Sequence, residues 1–322
     1  MSDKTMRAIS QDRFGGPEVL HETTAPRPAP LPTEVLVRVV SAGVNPVDWK
    51  TREGGGMAGV LGEPPFVLGW DVSGVVEEIG FGVHTLEVGD EVYGMPWFPR
   101  RAGAYAEYVT APARQFTRKP VGLDHDHSAG VPLAALTAWQ SLVDLAGVTR
   151  GQRVLVHAAS GGVGHFAVQF AAHAGAHVIG TASAAKQDWV RELGAAEVID
   201  YRAARFEEET GEIDVVLDLV GDGIDRTSTR SLDVLKPGGL LIAVPSGVAP
   251  ELLDLARERG VRATGYLVEP DGPALSTIAG LIDDGTVRTR IDEVLPLAEA
   301  AEAHRRGEQG HVHGKQVLHV ES

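Results

Sequence analysis

Residues Arg153 to Ser183 read RVLVHAASGGVGHFAVQFAAHAGAHVIGTAS. An apolar run ends in a glycine-containing turn, a helix-forming segment follows at once, and a second apolar run closes the stretch. Ala159, Gly161 and Gly164 occupy the three small positions of the turn, within the run Ala159, Ser160, Gly161, Gly162, Val163, Gly164. Small residues there let the backbone approach a pyrophosphate and let the helix sit close to the strand. The N–H groups at the helix start then face the anion. A glycine fingerprint alone is weak. This one has a strand before it, a helix after it and a second strand in step, which together point to a dinucleotide site.

The βα alternation continues on both sides of this stretch. Strands are expected at Arg153–Ala158, His177–Thr181, Glu197–Tyr201, Asp214–Leu219, Gly239–Val244 and Arg262–Val268. Helices are expected at His165–His173, Ala184–Leu193, Gly223–Leu235 and Pro250–Arg259, with a further helical stretch over Ala129–Ala146. Six strands with alternating helices describe an α/β, doubly wound parallel sheet of the Rossmann type. Upstream, residues 6 to about 125 read as β-rich. Glu34–Val40, Phe66–Ile79, Gly89–Gly94 and Gly103–Val109 are cut by glycine and proline at short intervals, as in a partly open barrel. Ala25–Pro32 is expected to be an extended surface connection. After Pro270 two helices and a last strand, Gly314–Val320, have no place in a complete six-stranded sheet. The expected division is therefore 1–127 with 271–322 returning to it, and 128–270 as the cofactor domain.

Bulk properties narrow the function. The 322 residues are 43% apolar and 23% charged, enough for two domains with their own cores. A net charge of −15 disfavours nucleic acid as a partner. No apolar run approaches the roughly 20 residues that span a bilayer, so no membrane partner is expected. The opening MSDKTMRAIS has no apolar core or cleavage pattern, and the chain has no cysteine, so a cytoplasmic location is expected. Without cysteine, thiolate catalysis and thiolate metal ligands are ruled out.

The phrases FGGPEVL, EVLVRVVSAGVNPVDWKTREG, GWDVSGVVEEIG, VGDEVYG, HAASGGVGHFAVQFA and LKPGGLLIAV form one ordered series. Together they resemble the medium-chain dehydrogenase/reductase superfamily, over essentially the full length. NPVDWK with SGGVGHFAVQ is similar to its zinc-free quinone oxidoreductase branch and to members that reduce enones and alkenals. The resemblance implies a discontinuous, GroES-like β-rich catalytic domain, a Rossmann cofactor domain, an active site in the cleft between them, and a homodimer. Zinc members place a cysteine where this chain has Asn45 and a histidine where it has Trp70, with Asp71 in the glutamate position. The cysteine-rich structural zinc lobe is missing. No metal is expected, and the pairs His125/His127 and His311/His313, read as alternating on extended segments, are expected to be solvated loop residues.

NAD enzymes place an acid at the end of the second strand to bind the ribose 2′-hydroxyl. Here that strand ends Gly180-Thr181-Ala182-Ser183, with Lys186 three residues on. A hydroxyl and an ammonium favour a 2′-phosphate, so NADPH is the expected cofactor. The resemblance adds Tyr201, in VIDYRA, to this pocket. It also places Asn45 and Thr137 beside the reacting ring, Pro245 and Ser246 at the end of the fifth strand, and Lys315 near cofactor or cleft. Lys315 reads equally well as a strand-start surface residue. Lys50, where some quinone reductases have tyrosine, is a candidate for polarising the substrate carbonyl. Asp48 is better read as a turn cap than as a general acid. Trp49 and Trp70 are pocket candidates, with packing favoured for Trp70.

The reading that results is an NADPH-dependent oxidoreductase transferring hydride to a quinone or an α,β-unsaturated carbonyl, without zinc. An acyl-chain enoyl reductase and a non-catalytic NADPH-binding redox sensor remain as alternatives.

Overall fold

The computed structural model describes residues 5–245, 247–310 and 312–320. The strands in chain order are β1 Thr5–Gln11, β2 Leu20–Pro26, β3 Glu34–Val44, β4 Phe66–Val67, β5 Asp71–Ile79, β6 Glu91–Gly94, β7 Tyr108–Pro112, β8 Phe116–Arg118, β9 Arg153–Val156, β10 His177–Ala182, β11 Glu197–Asp200, β12 Ile213–Asp218, β13 Leu235–Ala243, β14 Arg262–Gly265, β15 Ile291–Pro296 and β16 Lys315–His319. The chain divides into two compact units. One gathers the chain up to Leu136, Glu269–Gly285 and the segment from Thr289 onward; the other holds Thr137–Val268 and Thr286–Arg288.

In the second unit all strand pairs are parallel, in the order β11-β10-β9-β12-β13-β14. This is the doubly wound order, with its switch point between β9 and β12, where such sheets bind ligands outside the strand carboxyl ends. The strands are near-continuous apolar runs because helices cover the faces. Val154, Leu155 and Val156 of β9 are fully buried. One face gathers Leu155, Ile179, Ile199, Phe206, Val216, Leu241 and Leu252. The helix Gly164–His173 buries its own Phe166 and Phe170, the latter edge-on to Trp139 at 5.3 Å.

The first unit holds a sheet in the order β15-β16-β3-β5-β6-β8, with β7 also paired to β3, and a small sheet β2-β1-β4. The C-terminal strand β16 pairs antiparallel with β3 and parallel with β15. The returning tail therefore completes the sheet that β3 begins.

Several local expectations are corrected. β15 was unanticipated: its sequence IDEVLP alternates half-buried and exposed residues rather than running apolar. Helix Gly223–Leu235 is two short pieces, Asp222–Asp225 and Thr227–Ser231, broken at Arg226 in a left-handed conformation. Asp222 accepts the Thr229 N–H and hydroxyl there, competing with the helical ladder. The stretch Ala129–Ala146 is α-helical only over Pro132–Trp139 and turns to a wider π geometry over Gln140–Leu145. The expected strand Gly103–Val109 starts only at Tyr108; before it Ala106 makes a single bridge to Ala8.

His125 and His127 lie on a short helix, His125–Ala129, not on an extended segment, because Asp124 caps it by accepting the His127 N–H at 2.8 Å. His125 bonds Ser73 and His127 bonds Asp124. His311 lies outside the described residues. Among the described residues no three His, Cys, Asp or Glu side chains gather to hold a metal, and no helix is long and apolar enough to cross a membrane.

The helix Gly164–His173 is held against its strand by the absence of a side chain. A Cβ at Gly164 would lie 2.3 Å from the Ala158 carbonyl oxygen and 2.8 Å from Ala159 Cα. These are backbone atoms and cannot rotate away. Gly164→Ala is expected to cost about 1–3 kcal/mol, the usual range for overpacking. The urea midpoint checks this; an unchanged midpoint contradicts the packing described.

Candidate active site

Two polar constellations stand out, one in each unit. In the second unit the turn after β9 carries Ala159, Ser160, Gly161, Gly162, Val163 and Gly164. Ala158 enters it in the left-handed region at φ 49°. Thr181, at the end of β10, holds the turn from beside: its carbonyl accepts the Ala159 N–H at 3.0 Å and its hydroxyl the Ala158 N–H at 3.2 Å. The buried His157 ring bridges the Thr181 and Ser231 hydroxyls. Burial lowers its pKa to about 4, so it stays neutral. The N–H of His165 bonds the Gly161 carbonyl, so the amides of Gly162, Val163 and Gly164 precede the helical ladder, as anion-binding amides do. A Cβ at Gly180 would meet Ala159 Cβ and Val190 Cγ1 at 2.9 Å, so β10 is also kept close. The turn has the close backbone approach that a pyrophosphate requires.

The ends of β10 and β11 run side by side, with Ala182 opposite Asp200. Ser183 and Tyr201 follow these two residues. Ser183 and Lys186 are half-buried, and Tyr201 is exposed. Arg202 was not anticipated from the sequence; its guanidinium lies 5.6 Å from the Tyr201 ring centre. Lys186, four residues beyond the end of β10, and Arg202, two residues beyond the end of β11, are the cationic residues that follow these strand ends. Pro245 follows β13 and is half-buried, and Ser246 lies outside the described residues. Thr137 is buried on the helix Pro132–Trp139.

In the first unit, β3 ends at Val44 and the helix Pro46–Arg52 begins. Asn45 lies between them, 1% exposed, and its backbone N–H, Nδ2 and Oδ1 each have a partner. Its backbone N–H donates to Asp48 Oδ2 at 2.7 Å, the helix cap expected of Asp48. Its Nδ2 donates to Asp71 Oδ2 at 2.8 Å, and its Oδ1 accepts from Lys315 Nζ. Lys315 also donates to the Val44 carbonyl at 2.9 Å and lies 3.6 Å from Asp71. Asp71 Oδ1 accepts the Leu133 N–H at 2.7 Å. Lys315, 3% exposed, is thus no surface residue at a strand start. Burial raises the Asp71 carboxyl pKa and lowers that of the Lys315 ammonium, and their mutual attraction opposes both shifts. Gly43 makes room: a Cβ there would sit 2.4 Å from the Ala129 carbonyl oxygen.

The structure thus brings Asn45, Asp48, Asp71 and Lys315 together. Lys50 lies on the same helix but is exposed, whereas Asp48, Thr51 and Arg52 face inward. Trp70 is buried, with its indole N–H on the Arg100 carbonyl, so it packs and caps a loop. Trp49 lies edge-on to His304, which sequence reasoning passed over. The only local signal for His304 was a lone histidine among the small residues Ala300, Ala303 and Gly307 of one helix face.

Removing one partner of a buried ion pair strands the other. Lys315→Met is expected to destabilise by about 3–5 kcal/mol. Lys50→Met, on the exposed face, should stay within about 0.5 kcal/mol of the parent chain. Chemical denaturation of both checks this, and equal effects contradict the burial described.

Comparison with known proteins agrees with this architecture. A family model for the alcohol dehydrogenase GroES-like domain matches residues 31–121, and one for zinc-binding dehydrogenases matches residues 193–318. The NAD(P)H oxidoreductase RTN4IP1 of Danio rerio is 33% identical, over 96% of this chain and 90% of its own length. A chloroplastic NADPH-dependent alkenal/one oxidoreductase of Arabidopsis thaliana is 33% identical, over 98% of this chain and 79% of its own. The quinone oxidoreductase of Coxiella burnetii superposes with a TM-score of 0.91 at 36% identity, covering 99% of this chain and 100% of that one. With Asn45 and Trp70 at the zinc-ligand places and no cysteine anywhere, the chain belongs to the zinc-free quinone and alkenal/one oxidoreductase branch of the medium-chain dehydrogenase/reductase family.

Proposed function

We propose that this protein is an NADPH-dependent oxidoreductase that reduces the conjugated double bond of an enone or alkenal, or a quinone, without zinc. The observation that carries the cofactor choice is the corner formed by the ends of β10 and β11. Ser183, Lys186, Tyr201 and Arg202 cluster in sequence around adjacent strand ends, and β10 itself ends without an acid. A carboxylate at the end of β10 would repel a 2′-phosphate, whereas hydroxyl, ammonium and guanidinium groups donate to it; Asp200, at the end of β11, instead accepts the Arg202 backbone N–H at 3.0 Å. The amides of Gly162, Val163 and Gly164 receive the pyrophosphate, and Thr137 and Pro245 belong to the nicotinamide end. When bound, NADPH supplies the hydride.

The Asn45–Lys315 cluster of the first unit has the polar groups that an acceptor carbonyl needs. Reduction of a conjugated carbonyl develops negative charge on its oxygen, and a positioned cation lowers the energy of that charge. Lys315 is the buried cation beside Asn45, so the carbonyl-polarising role considered for Lys50 passes to it. Asn45 Nδ2 has a second N–H beyond the one given to Asp71. Asp71 holds both groups in place. A homodimer belongs to the same reading, supported by β14 lying at the end of the parallel sheet.

The test is NADPH oxidation with a simple enone and with a benzoquinone, with NADH in parallel. Turnover is expected with NADPH. One charge-assisted hydrogen bond is worth about 1.5–3 kcal/mol, so Lys186→Ala should lower the NADPH-over-NADH preference by about tenfold or more. An unchanged preference removes Lys186 from the pocket. NADPH binding without turnover on either acceptor class would favour a sensor.

A further inference from the structure

The Asp48 carboxylate is the end of a buried line of polar side chains that no step above has used. Arg52 is wholly buried; its Nε donates to the Gly15 carbonyl at 2.9 Å, and one terminal nitrogen pairs with Glu53 and Glu308 at 2.8 and 2.6 Å. Its other terminal nitrogen lies 3.2 Å from His304 Nδ1. His304 Nε2 lies 3.1 Å from the Tyr105 hydroxyl, which lies 3.0 Å from Asp48 Oδ2. Tyr105, His304 and Asp48 are fully buried.

The directions of these bonds follow from one fact. A guanidinium only donates. His304 Nδ1 must therefore accept, which places the hydrogen of the neutral ring on Nε2. That hydrogen points to the Tyr105 oxygen, and the Tyr105 hydrogen points to Asp48. Burial keeps the ring neutral, with its pKa lowered to about 3. A proton on Asp48 Oδ2 would take the place of the Tyr105 hydrogen, which must then either go without its acceptor or reverse the line and set a ring N–H against Arg52. A proton on Oδ1 fares no better, because that buried oxygen finds no partner among the described residues.

We propose that Arg52, His304 and Tyr105 form a one-way line of hydrogen-bond donors that holds Asp48 as a carboxylate, and that Tyr105 and His304 are thereby positioning residues for the Asn45–Lys315 site. The carboxylate in turn holds the Asn45 N–H and adds negative charge near Lys315, favouring the ammonium form. The line opposes burial, which raises the Asp48 pKa to about 7 even with Asn45 and Tyr105 donating to it. The charged and titratable groups facing Asp48 are Tyr105, Asp71 and Lys315, with His304 and Arg52 behind Tyr105. Only the significance for catalysis rests on the proposed reduction; the line itself does not.

Tyr105→Phe removes one donor and keeps the ring. Asp48 should then titrate at higher pH. Its folded pKa already lies above the unfolded value of about 3.9, so its ionisation costs stability as pH rises from the unfolded to the folded value. A further rise extends that loss to higher pH. The Tm gap between wild type and Tyr105→Phe should therefore widen from pH 6 to pH 8.5, other groups being common to both. The acid limb of kcat/KM for enone reduction should move up by about one pH unit. His304→Gln keeps a donor and an acceptor and should leave both readouts near wild type, whereas His304→Leu should shift them in the same direction as Tyr105→Phe but by less, because Tyr105 still donates to Asp48. A Tm gap equal at both pH values overturns the line, whatever the activity. A widening gap with an unmoved limb overturns the positioning role. Absence of wild-type turnover would instead reject the proposed reaction and leave the Tm gap as the test. Should Tyr105→Phe not fold, His304→Leu is read in the same ways.

Discussion

The close approach of the helix Gly164–His173 to the turn after β9 is the constraint on which the cofactor side depends. It exists because residue 164 has no side chain and because Thr181 fastens the turn through both its carbonyl and its hydroxyl. With the helix drawn in, its first amides stand at the carboxyl ends of the central strands, at the switch point of the sheet. β10 and β11 then carry Ser183 and Tyr201 to adjacent places. The pyrophosphate side thus depends on backbone packing, whereas the ribose corner depends on side chains.

The first unit solves a different problem. It buries an ammonium, two carboxylates and a guanidinium, and each is costly unless paired. Lys315 reaches Asn45 and Asp71 only because β16 returns to pair with β3, placing the end of the chain beside residue 44. The interrupted chain of this unit is thus tied to its chemistry: without the returning strand, Asp71 would lose its cation. Asn45 sits at the centre, engaged by Asp48, Asp71 and Lys315 at once.

Much of this was legible in the sequence. The parallel strands read clearly because a strand buried on both faces is a short continuous apolar run, and the glycine turn has its own spacing. The absence of an acid after β10 was visible directly. β15 was not, because a half-exposed strand ending in proline looks like a loop. The break at Arg226 and the capped helix at His125 turned on hydrogen bonds accepted by the single side chains Asp222 and Asp124, which periodicity does not register. The line from Arg52 through His304 to Tyr105 joins residues 252 and 199 positions apart. No local pattern encodes such a contact; each member reads alone as an ordinary helix or loop residue. Lys315 was noticed, but its burial came only with the register of β16.

The central claim is that the corner after β10 and β11 selects a phosphorylated ribose. Calorimetric titration of the protein with NADPH and with NADH at one ionic strength tests it without any acceptor. Two charge-assisted hydrogen bonds correspond to a ratio of dissociation constants of about 100 or more in favour of NADPH. Equal affinities, or tighter binding of NADH, would contradict the account.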